Sequence, residues 1–260
     1  MYGRFPPGAI TSSRISWPYF LHALLPFLEQ QALSTEFEKA RLLGSGPEYP
    51  ATWPTVLQQP IMAFQCPSDG ANTTSRNIFG SAPSPTSNYL GIFSGLNDGN
   101  NNDERFNPPA FDQRQRSVFR VDRTTRVTEI TDGLSNTMVV AEYLTGLPGF
   151  NPGMVRGMFF NSRAGCQFLY TTQTPNSPGQ EIFWYNKDGC GDPSNNAPAQ
   201  NLPCRAGPDV TNFASPRSRH PGGVNVLMGD GTVKFVRNGI DLNTWRWLGW
   251  MADGNVLGDY

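Results

Sequence analysis

Hydrophobic and polar residues alternate most regularly near the carboxyl end, in the segment GVNVLMGDGTVKFV. Asp230 and Gly231, in its middle, are residues that a tight turn between two strands needs. The segment therefore predicts a β-hairpin. The alternating side chains are Val224, Val226 and Met228 before the turn, and Val233, Phe235 and Arg237 after it.

Apolar residues recur at helical spacing in the segment ISWPYFLHALLPFLEQQALSTEFEKARLLG, which predicts a helix. We expect Ser16 to cap this helix and Pro18 to lie in its first turn, while Pro26 divides it and a second short helix ends at Gly44. The predicted stripe that faces the core is Leu21, Leu24, Leu25 and Leu28.

A short terminal helix is predicted over IDLNTWRWLGW, with Asp241 or Asn243 as its cap. Three of its apolar side chains have the spacing of an inward face: Trp245, Leu248 and Trp250.

Several shorter runs of apolar residues predict further strands. Together with the helices they predict one α+β domain over residues 1–260, in which an N-terminal helix packs on an antiparallel sheet and long loops connect the elements. The predicted strands are SNYLGIFSG, the start of SVFRVDRTTRVTEI, Thr137 to Glu142, residues 154–162 and residues 181–185.

The composition narrows the class of protein. The chain has 27 glycines and 23 prolines among 260 residues, which excludes an all-helical fold. Charged residues make up 16% of the chain and the net charge is -1, so binding to nucleic acid or to an anionic membrane is not expected. The sequence has neither an apolar window of about 20 residues nor an export signal at its start, so we expect no membrane contact by this chain.

Four cysteines are present, and their spacing lacks the C-x2-C pairs of a zinc site. Three lie in segments rich in Gly, Pro and Asn, which favours disulfides and an oxidising compartment. Four free thiols in a cytoplasmic protein are the alternative. The disulfide candidates are Cys66, Cys166, Cys190 and Cys204, with Cys190 to Cys204 as the most local pairing.

The two histidines are His22 and His220. His22 lies in the helical stripe, and we expect it to have no chemical role. His220 precedes a Pro-Gly-Gly approach to the hairpin, where its imidazole could hydrogen-bond backbone groups and hold that approach in place. A hydrolase is an alternative, although the chain has no G-x-S-x-G motif. Its catalytic group would be His220, with Asp230 or Asp209 and with Ser218 or Ser215.

Calcium is the one metal for which the sequence offers candidate ligands, and no other cofactor is expected. Asp98, Asn100 and Asn102 repeat the alternating oxygen ligands of a calcium loop, but Asp103 occupies the position that needs Gly. Asp132 and Asn136 offer a second cluster of oxygens.

Six segments, in order, resemble the DUF1559 family, which is abundant in planctomycete-type bacteria and has also been labelled a solute-binding family. One hallmark of that family is a histidine followed after nine residues by Asp-Gly, as in His220, Asp230 and Gly231. The other motif residues lie in the segment ITDGLSNTMVVAE and are Asp132, Gly133, Ser135 and Asn136. The segments are YGRFPPG, LLPFLEQQAL, FQCPSDG, SNYLG, ITDGLSNTMVVAE and RHPGGVNVLMGDGTVKFV.

The resemblance implies a protein that starts with a prepilin-type cleavage site and a long hydrophobic helix. This sequence starts at Met1, where the head of such a protein would follow, so the helix is expected to be missing from it. We therefore expect an exported, non-enzymatic, pseudopilin-like head domain at the cell surface or in the periplasm. It would assemble with protein partners or with itself through the missing helix, and His220 with the Asp-Gly pair would be a scaffold signature.

A solute- or carbohydrate-binding module is the second interpretation, and the hydrolase is the third. Aromatic side chains stack on sugars, and three are candidates for this role: Trp53, Trp184 and Tyr185.

Overall fold

The fold is mixed α+β, as predicted. The computed structural model describes residues 3–12, 15–42, 58–70, 74–76, 83–96, 104, 111–147, 156–159, 163–184, 190–191, 193, 195–208 and 211–260. The helices in these residues are α1 (Phe20–Leu24), α2 (Gln31–Leu42) and α3 (Leu242–Gly249). The strands are β1 (Arg4–Phe5), β2 (Ala9–Ser12), β3 (Ile15–Tyr19), β4 (Thr74–Arg76), β5 (Pro83–Pro85), β6 (Tyr89–Ile92), β7 (Thr125–Arg126), β8 (Met138–Glu142), β9 (Phe168–Leu169), β10 (Glu181–Trp184), β11 (Cys204–Gly207), β12 (Gly223–Met228) and β13 (Val233–Arg237).

The largest sheet has five strands in the order β13, β12, β8, β6, β9. Its pairings are antiparallel except for β6 with β9, which is parallel, so the sheet is mixed rather than purely antiparallel. Strand β8 lies in the centre. Because it has a neighbour on each side and packing on both faces, its apolar run MVVA is almost continuous.

The predicted hairpin is confirmed as β12 and β13. A four-residue loop, residues 229–232, joins them, and the Gly231 N–H within it donates to the Met228 carbonyl at 3.0 Å. Gly231 has φ +87°, which a residue with a side chain adopts only with strain. On β12 the predicted alternating set is buried, whereas on the edge strand β13 Val236 is buried and Val233 and Phe235 face solvent.

The inner face of the five-stranded sheet is covered by α3. A Cβ atom added to Gly249 of α3 would lie 3.3 Å from the Ile92 side chain, so this helix and the sheet are in close contact. The inner face consists of Leu90, Ile92, Ala141, Val224 and Val226, which alternation and register place on one side.

The outer face of the sheet is covered only in part. Near β6 the rings of Phe20 and Phe119 stack with centroids 4.3 Å apart, and a Cβ atom added to Gly91 would lie 2.8 Å from each ring. The N-terminal helix therefore packs on the sheet, as predicted. The outer face consists of Tyr89, Gly91, Val140, Glu142, Asn225, Leu227, Val233 and Phe235.

The predicted start of the first helix is wrong. Residues Ile15–Tyr19 form β3 and pair with β2, so Ser16 is not a helix cap. The residue before a proline favours extended backbone, and Pro18 is inside this strand. The helix begins at Phe20, and the predicted division holds, because Pro26 lies at the start of a 3₁₀ turn, Leu25–Leu28.

Two predicted strands are also absent from the residues that the structure describes. In the segment that begins at Ser117, Phe119 and Val121 make isolated bridges to Phe93 and Ala9. Within 156–159, Met158 makes one isolated bridge to Thr86. The polar backbone groups in these segments bond with separate parts of the chain, among them Gly8, Ala9 and Pro85, and do not form a continuous ladder with one neighbouring strand.

The C-terminal helix agrees with its prediction. The Asp241 carboxylate accepts the backbone N–H groups of Asn243 and Thr244 at 2.9 Å each, so Asp241 is the cap and Asn243 is not. Trp245 and Leu248 are fully buried.

The predicted disulfide between Cys190 and Cys204 is present, with a Cα–Cα distance of 5.7 Å. Cys204 begins β11, which pairs with β10, so the bond fastens the loop to a small parallel sheet. Cys66 is half-buried and Cys166 is buried, and neither is in a disulfide.

A network of fully buried charges centres on Glu181. Its Oε2 lies 2.6 Å from Arg156 Nη1 and its Oε1 lies 3.0 Å from Arg217 Nε. The Tyr143 hydroxyl and the Ser215 N–H also donate to this carboxylate. Burial by itself raises the pKa of Glu181, but the two arginines outweigh it and hold the pKa below its usual value.

Glu181→Gln should lower the free energy of unfolding by about 3–5 kcal/mol, because two buried guanidinium groups would lose their counter-charge. Urea denaturation of the two proteins measures this difference. The matched control is Glu129→Gln, which breaks the more exposed pair of Glu129 with Arg123 and should cost less than about 1 kcal/mol. Equal losses in the two variants would contradict the role given to Glu181.

His22 makes stability depend on pH. Its ring is buried against Phe37 and Phe159, and burial lowers its pKa from 6.5 to about 3. The unfolded chain therefore binds a proton near pH 6.5 that the folded chain does not bind until about pH 3. It follows that this residue makes folding less favourable as the pH falls through that window.

His22→Asn should flatten the dependence of the free energy of unfolding on pH between 6.5 and 3. The amide oxygen of Asn can still accept the Tyr19 N–H, which His22 Nδ1 accepts at 3.2 Å, but it does not titrate. Urea denaturation at several pH values measures the slope. The carboxylates give both proteins the same pH dependence. Parallel curves of unfolding free energy against pH would therefore show that His22 does not contribute to that dependence.

Candidate functional site

Three polar residues lie side by side across the outer face of the sheet. Tyr89 of β6 is the register partner of Glu142 of β8. On the other side, the Asn225 backbone N–H donates to Glu142 Oε2 at 2.7 Å, and its side-chain Nδ2 donates to Oε1 at 3.0 Å. Both oxygens of this buried carboxylate are therefore held in place by β12.

An imidazole and a thiol join this carboxylate. His220 Nε2 lies 3.0 Å from Glu142 Oε1, and its side chain is 31% exposed. One ligand atom from each of Cys66, Glu142 and His220 lies within 4.8 Å of the other two. We name these three residues the Cys66 cluster.

The turn that carries Cys66 is fastened to the same end of the sheet. Asn88 Oδ1 accepts the Cys66 N–H at 2.9 Å, while Asn88 Nδ2 donates to Asp69 Oδ2 and to the Tyr143 carbonyl. The other oxygen of Asp69 lies 3.5 Å from Arg219 Nε. Segments around residues 66, 88, 142 and 220 are therefore held together by one polar network.

Tyr89 provides a hydrogen-bond donor beside the thiol. Burial, assisted by the charges of Cys66 and Glu142, raises the pKa of Tyr89 to about 12. The phenol therefore keeps its proton at neutral pH and forms a side-chain hydrogen bond with Cys66.

The Cys66 cluster combines a thiol, an imidazole and a carboxylate at the edge of solvent. Each of these groups is a ligand for a divalent transition metal. The same three groups also occur in hydrolases that use a thiol as nucleophile. The distances between the three groups distinguish a metal site from a nucleophilic site. Here one ligand atom from each residue lies within 4.8 Å of the other two, as in a metal site.

The structure separates the two ends of the predicted motif. His220 precedes β12 and Asp230 follows it, so the length of the strand lies between them. Asp230 Oδ1 instead accepts the Thr232 N–H within the turn, at 2.9 Å. His220 contacts a carboxylate and not the backbone groups that we predicted, but the carboxylate belongs to central strand β8, so the approach to the hairpin is still held.

The predicted serine hydrolase group is not assembled by the residues that the structure describes. Ser218 Oγ donates to the Gly223 carbonyl at 2.8 Å and accepts the His220 backbone N–H at 3.1 Å. Ser215 is buried beside Glu181. Asp209 lies outside the described residues.

The residues around Asp132 connect their turn to the C-terminal segment and to β13 by hydrogen bonds. The Asp132 carboxylate accepts the N–H groups of Asp253 and Gly254 at 2.8 and 3.2 Å. Asn136 Nδ2 donates to the Asp132 carbonyl at 3.0 Å. The Ser135 carbonyl accepts from Lys234 Nζ, and Gly133 has φ +96°. Calcium at this place stays a prediction, and the hydrogen bonds already account for the Asp132 carboxylate.

The remaining candidates stay predictions. The loop with the calcium-like pattern, Asp98, Asn100 and Asn102, lies outside the described residues. The candidates for sugar stacking, Trp53 and Tyr185, also lie outside them, and of Trp184 only the backbone in β10 is described.

Sequence reasoning missed two members of the Cys66 cluster. It assigned Cys66 only to disulfides, and it placed Glu142 at the end of a strand without a role. One signal was available, because a carboxylate that directly follows a buried apolar run must find partners when the strand is central. The thiol gave no such signal, since only the fold brings residue 66 near residue 220.

The segments that carry the resemblance noted above also build this site. FQCPSDG contributes Cys66, SNYLG contributes Tyr89, MVVAE contributes Glu142 and RHPGG contributes His220. A family model described as a protein of unknown function, DUF1559, and named SBP_bac_10, matches residues 1–243. The chain belongs to the DUF1559 family.

No curated protein and no solved structure matches this DUF1559 chain. Among the described residues, no helix has the length and apolar character needed to cross a bilayer.

Glu142→Gln should lower the free energy of unfolding by about 1–3 kcal/mol. Both carboxylate oxygens accept N–H donors from Asn225, and an amide would turn an NH₂ group towards one of those donors. Urea denaturation measures the loss. Glu36→Gln, which changes a surface pair with Lys39 on α2, is the control and should leave the midpoint unchanged. If Glu142→Gln behaves like that control, the carboxylate does not organise the site.

Proposed function

We propose that this DUF1559 chain is the globular head of an exported, pseudopilin-like protein that acts without catalysis in assembly at the cell surface or in the periplasm. The observation that carries the proposal is the exposed apolar surface on the outer face of β13. The side chains of Val233 and Phe235 are 66% and 47% exposed, and they lie on an edge strand. An edge strand with exposed apolar side chains is a site for association with another chain.

Export is supported by the disulfide between Cys190 and Cys204. Disulfides of this kind persist in oxidising compartments and are rare in the cytosol. The resemblance to proteins that begin with a prepilin-type segment also supports export.

The partner in this proposal is a second copy of the chain, arranged head to tail. Strand β13 also carries Lys234 and Arg237. Lys234 lies on the inner face with its register partner Val226, whereas Arg237 follows Val233 and Phe235 on the outer face. A twofold contact through the outer face would bring two copies of Arg237 close to each other, which costs free energy. A contact between β13 and a different surface of the next copy avoids that cost, and repeated contacts of this type form open filaments.

The test is crosslinking in the cells that make the full protein. A photo-crosslinking amino acid at position 235 should join copies of the chain in the surface or periplasmic fraction, whereas the same amino acid at exposed Lys39 of α2 should not. Adding Val233→Lys should reduce the yield at position 235 at least fivefold, because it puts a charge in the apolar contact.

Thermal unfolding of the purified Val233→Lys head provides the control, and its midpoint should match wild type because the side chain is mostly exposed. Equal crosslinking from positions 235 and 39, or recovery of the protein only from the cytoplasm with Cys190 and Cys204 reduced, would contradict the proposal.

A further inference from the structure

We propose that the Cys66 cluster is a zinc site, in which Cys66 Sγ, one Glu142 oxygen and one His220 ring nitrogen bind Zn²⁺ and a water molecule takes the fourth position. The proposal is separate from the assembly surface, which is on β13. It rests on three ligand atoms of three different chemical types that lie within 4.8 Å of one another. They come from a turn, a central strand and the approach to the hairpin, so the fold itself brings them together.

The distances suit zinc after small side-chain rotations. With Zn–S near 2.3 Å and Zn–N or Zn–O near 2.0–2.1 Å, tetrahedral ligands lie about 3.3–3.6 Å apart. The His220 Nε2 and Glu142 Oε1 atoms are 3.0 Å apart, and the thiol is within 4.8 Å of the ligand atoms of both residues.

Convergence distinguishes a metal site from a thiol nucleophile with its base. In a nucleophilic triad the thiol and the carboxylate bond to the two nitrogens on opposite edges of the imidazole, which holds them well apart. Here the thiol and the carboxylate are themselves within 4.8 Å of each other. The three groups surround a point instead of forming a line.

The charges and the neighbouring hydrogen bonds also fit a divalent cation. A thiolate and a carboxylate together carry two negative charges, which Zn²⁺ neutralises, and the imidazole binds as a neutral ligand. Binding releases the thiol proton, and the imidazole keeps its one proton on the nitrogen that does not bind the metal. Asn225 orients the carboxylate, and the Tyr89 phenol can donate to the thiolate.

Half-burial of Cys66 and the partial exposure of His220 leave an access route for the ion and for a water ligand. Three protein ligands with one open position differ from the four ligands of a closed structural zinc site. The fourth position can therefore exchange its ligand.

The test is equilibrium dialysis of the purified, disulfide-intact chain against Zn²⁺, followed by elemental analysis. Wild type should retain one zinc per chain, and Cys66→Ser and His220→Gln should each weaken binding at least tenfold. In parallel, Co²⁺ should give wild type a thiolate-to-cobalt charge-transfer absorption that Cys66→Ser lacks. Asp230→Asn is the matched control, because it changes the same sequence motif at the far end of β12, and it should bind zinc like wild type.

Circular dichroism shows whether each variant is folded. A further measurement needs no variant at all, since Zn²⁺ should slow the alkylation of Cys66 by iodoacetamide in wild type at least tenfold, as located by peptide mass spectrometry. Three results would overturn the proposal: no zinc retained by folded wild type, zinc bound by folded Cys66→Ser and His220→Gln as tightly as by wild type, or alkylation of Cys66 at the same rate with and without zinc.

Discussion

A buried carboxylate must be paired, and in this protein the pairing of Glu181 determines where several loops lie. Its two oxygens meet guanidinium groups from residues 156 and 217, which come from opposite sides of β10 in the sequence. Arg217 also donates its backbone N–H to the Glu142 carbonyl. Because His220 follows three residues later, the buried charge network sets the path by which the imidazole reaches the Cys66 cluster.

The last residue of β8, Glu142, and the residue that follows it, Tyr143, belong to two different polar networks. Glu142 points to the outer face and meets Asn225 and His220, whereas the Tyr143 hydroxyl donates to Glu181. Neighbouring side chains along an extended backbone point in opposite directions, so these two consecutive residues reach the two networks. One network is wholly buried and structural. The other lies at the edge of solvent and contains Glu142 and His220 of the Cys66 cluster.

The surfaces that the two proposals use lie on the same face of the sheet, but neither proposal depends on the other. Phe235 is the register partner of Asn225, which holds Glu142. The apolar surface of β13 and the Cys66 cluster are therefore neighbours on one side of the sheet. A chain that bound β13 would lie close to the open position of the proposed metal site, whereas the zinc measurement uses the isolated chain and does not need that contact.

Local patterns predicted the elements whose stability is local. Asp241 caps α3, the Asp-Gly pair turns the hairpin and Pro26 divides the first helical segment, since each depends on residues a few positions apart. The pattern failed at Ile15–Tyr19, where helical spacing competed with the pairing of β3 to β2. That pairing depends on a second segment, and helical periodicity alone does not contain it.

The sequence by itself determined the α+β class, the hairpin with its turn, the terminal helix and the most local disulfide, because alternation, capping and short loops are properties of neighbouring residues. Only the tertiary structure decided that Cys66, Glu142 and His220 meet, that His220 and Asp230 lie at opposite ends of a strand, and that Val233 and Phe235 face solvent. These are matters of strand order and register, which depend on pairings between segments far apart in the chain.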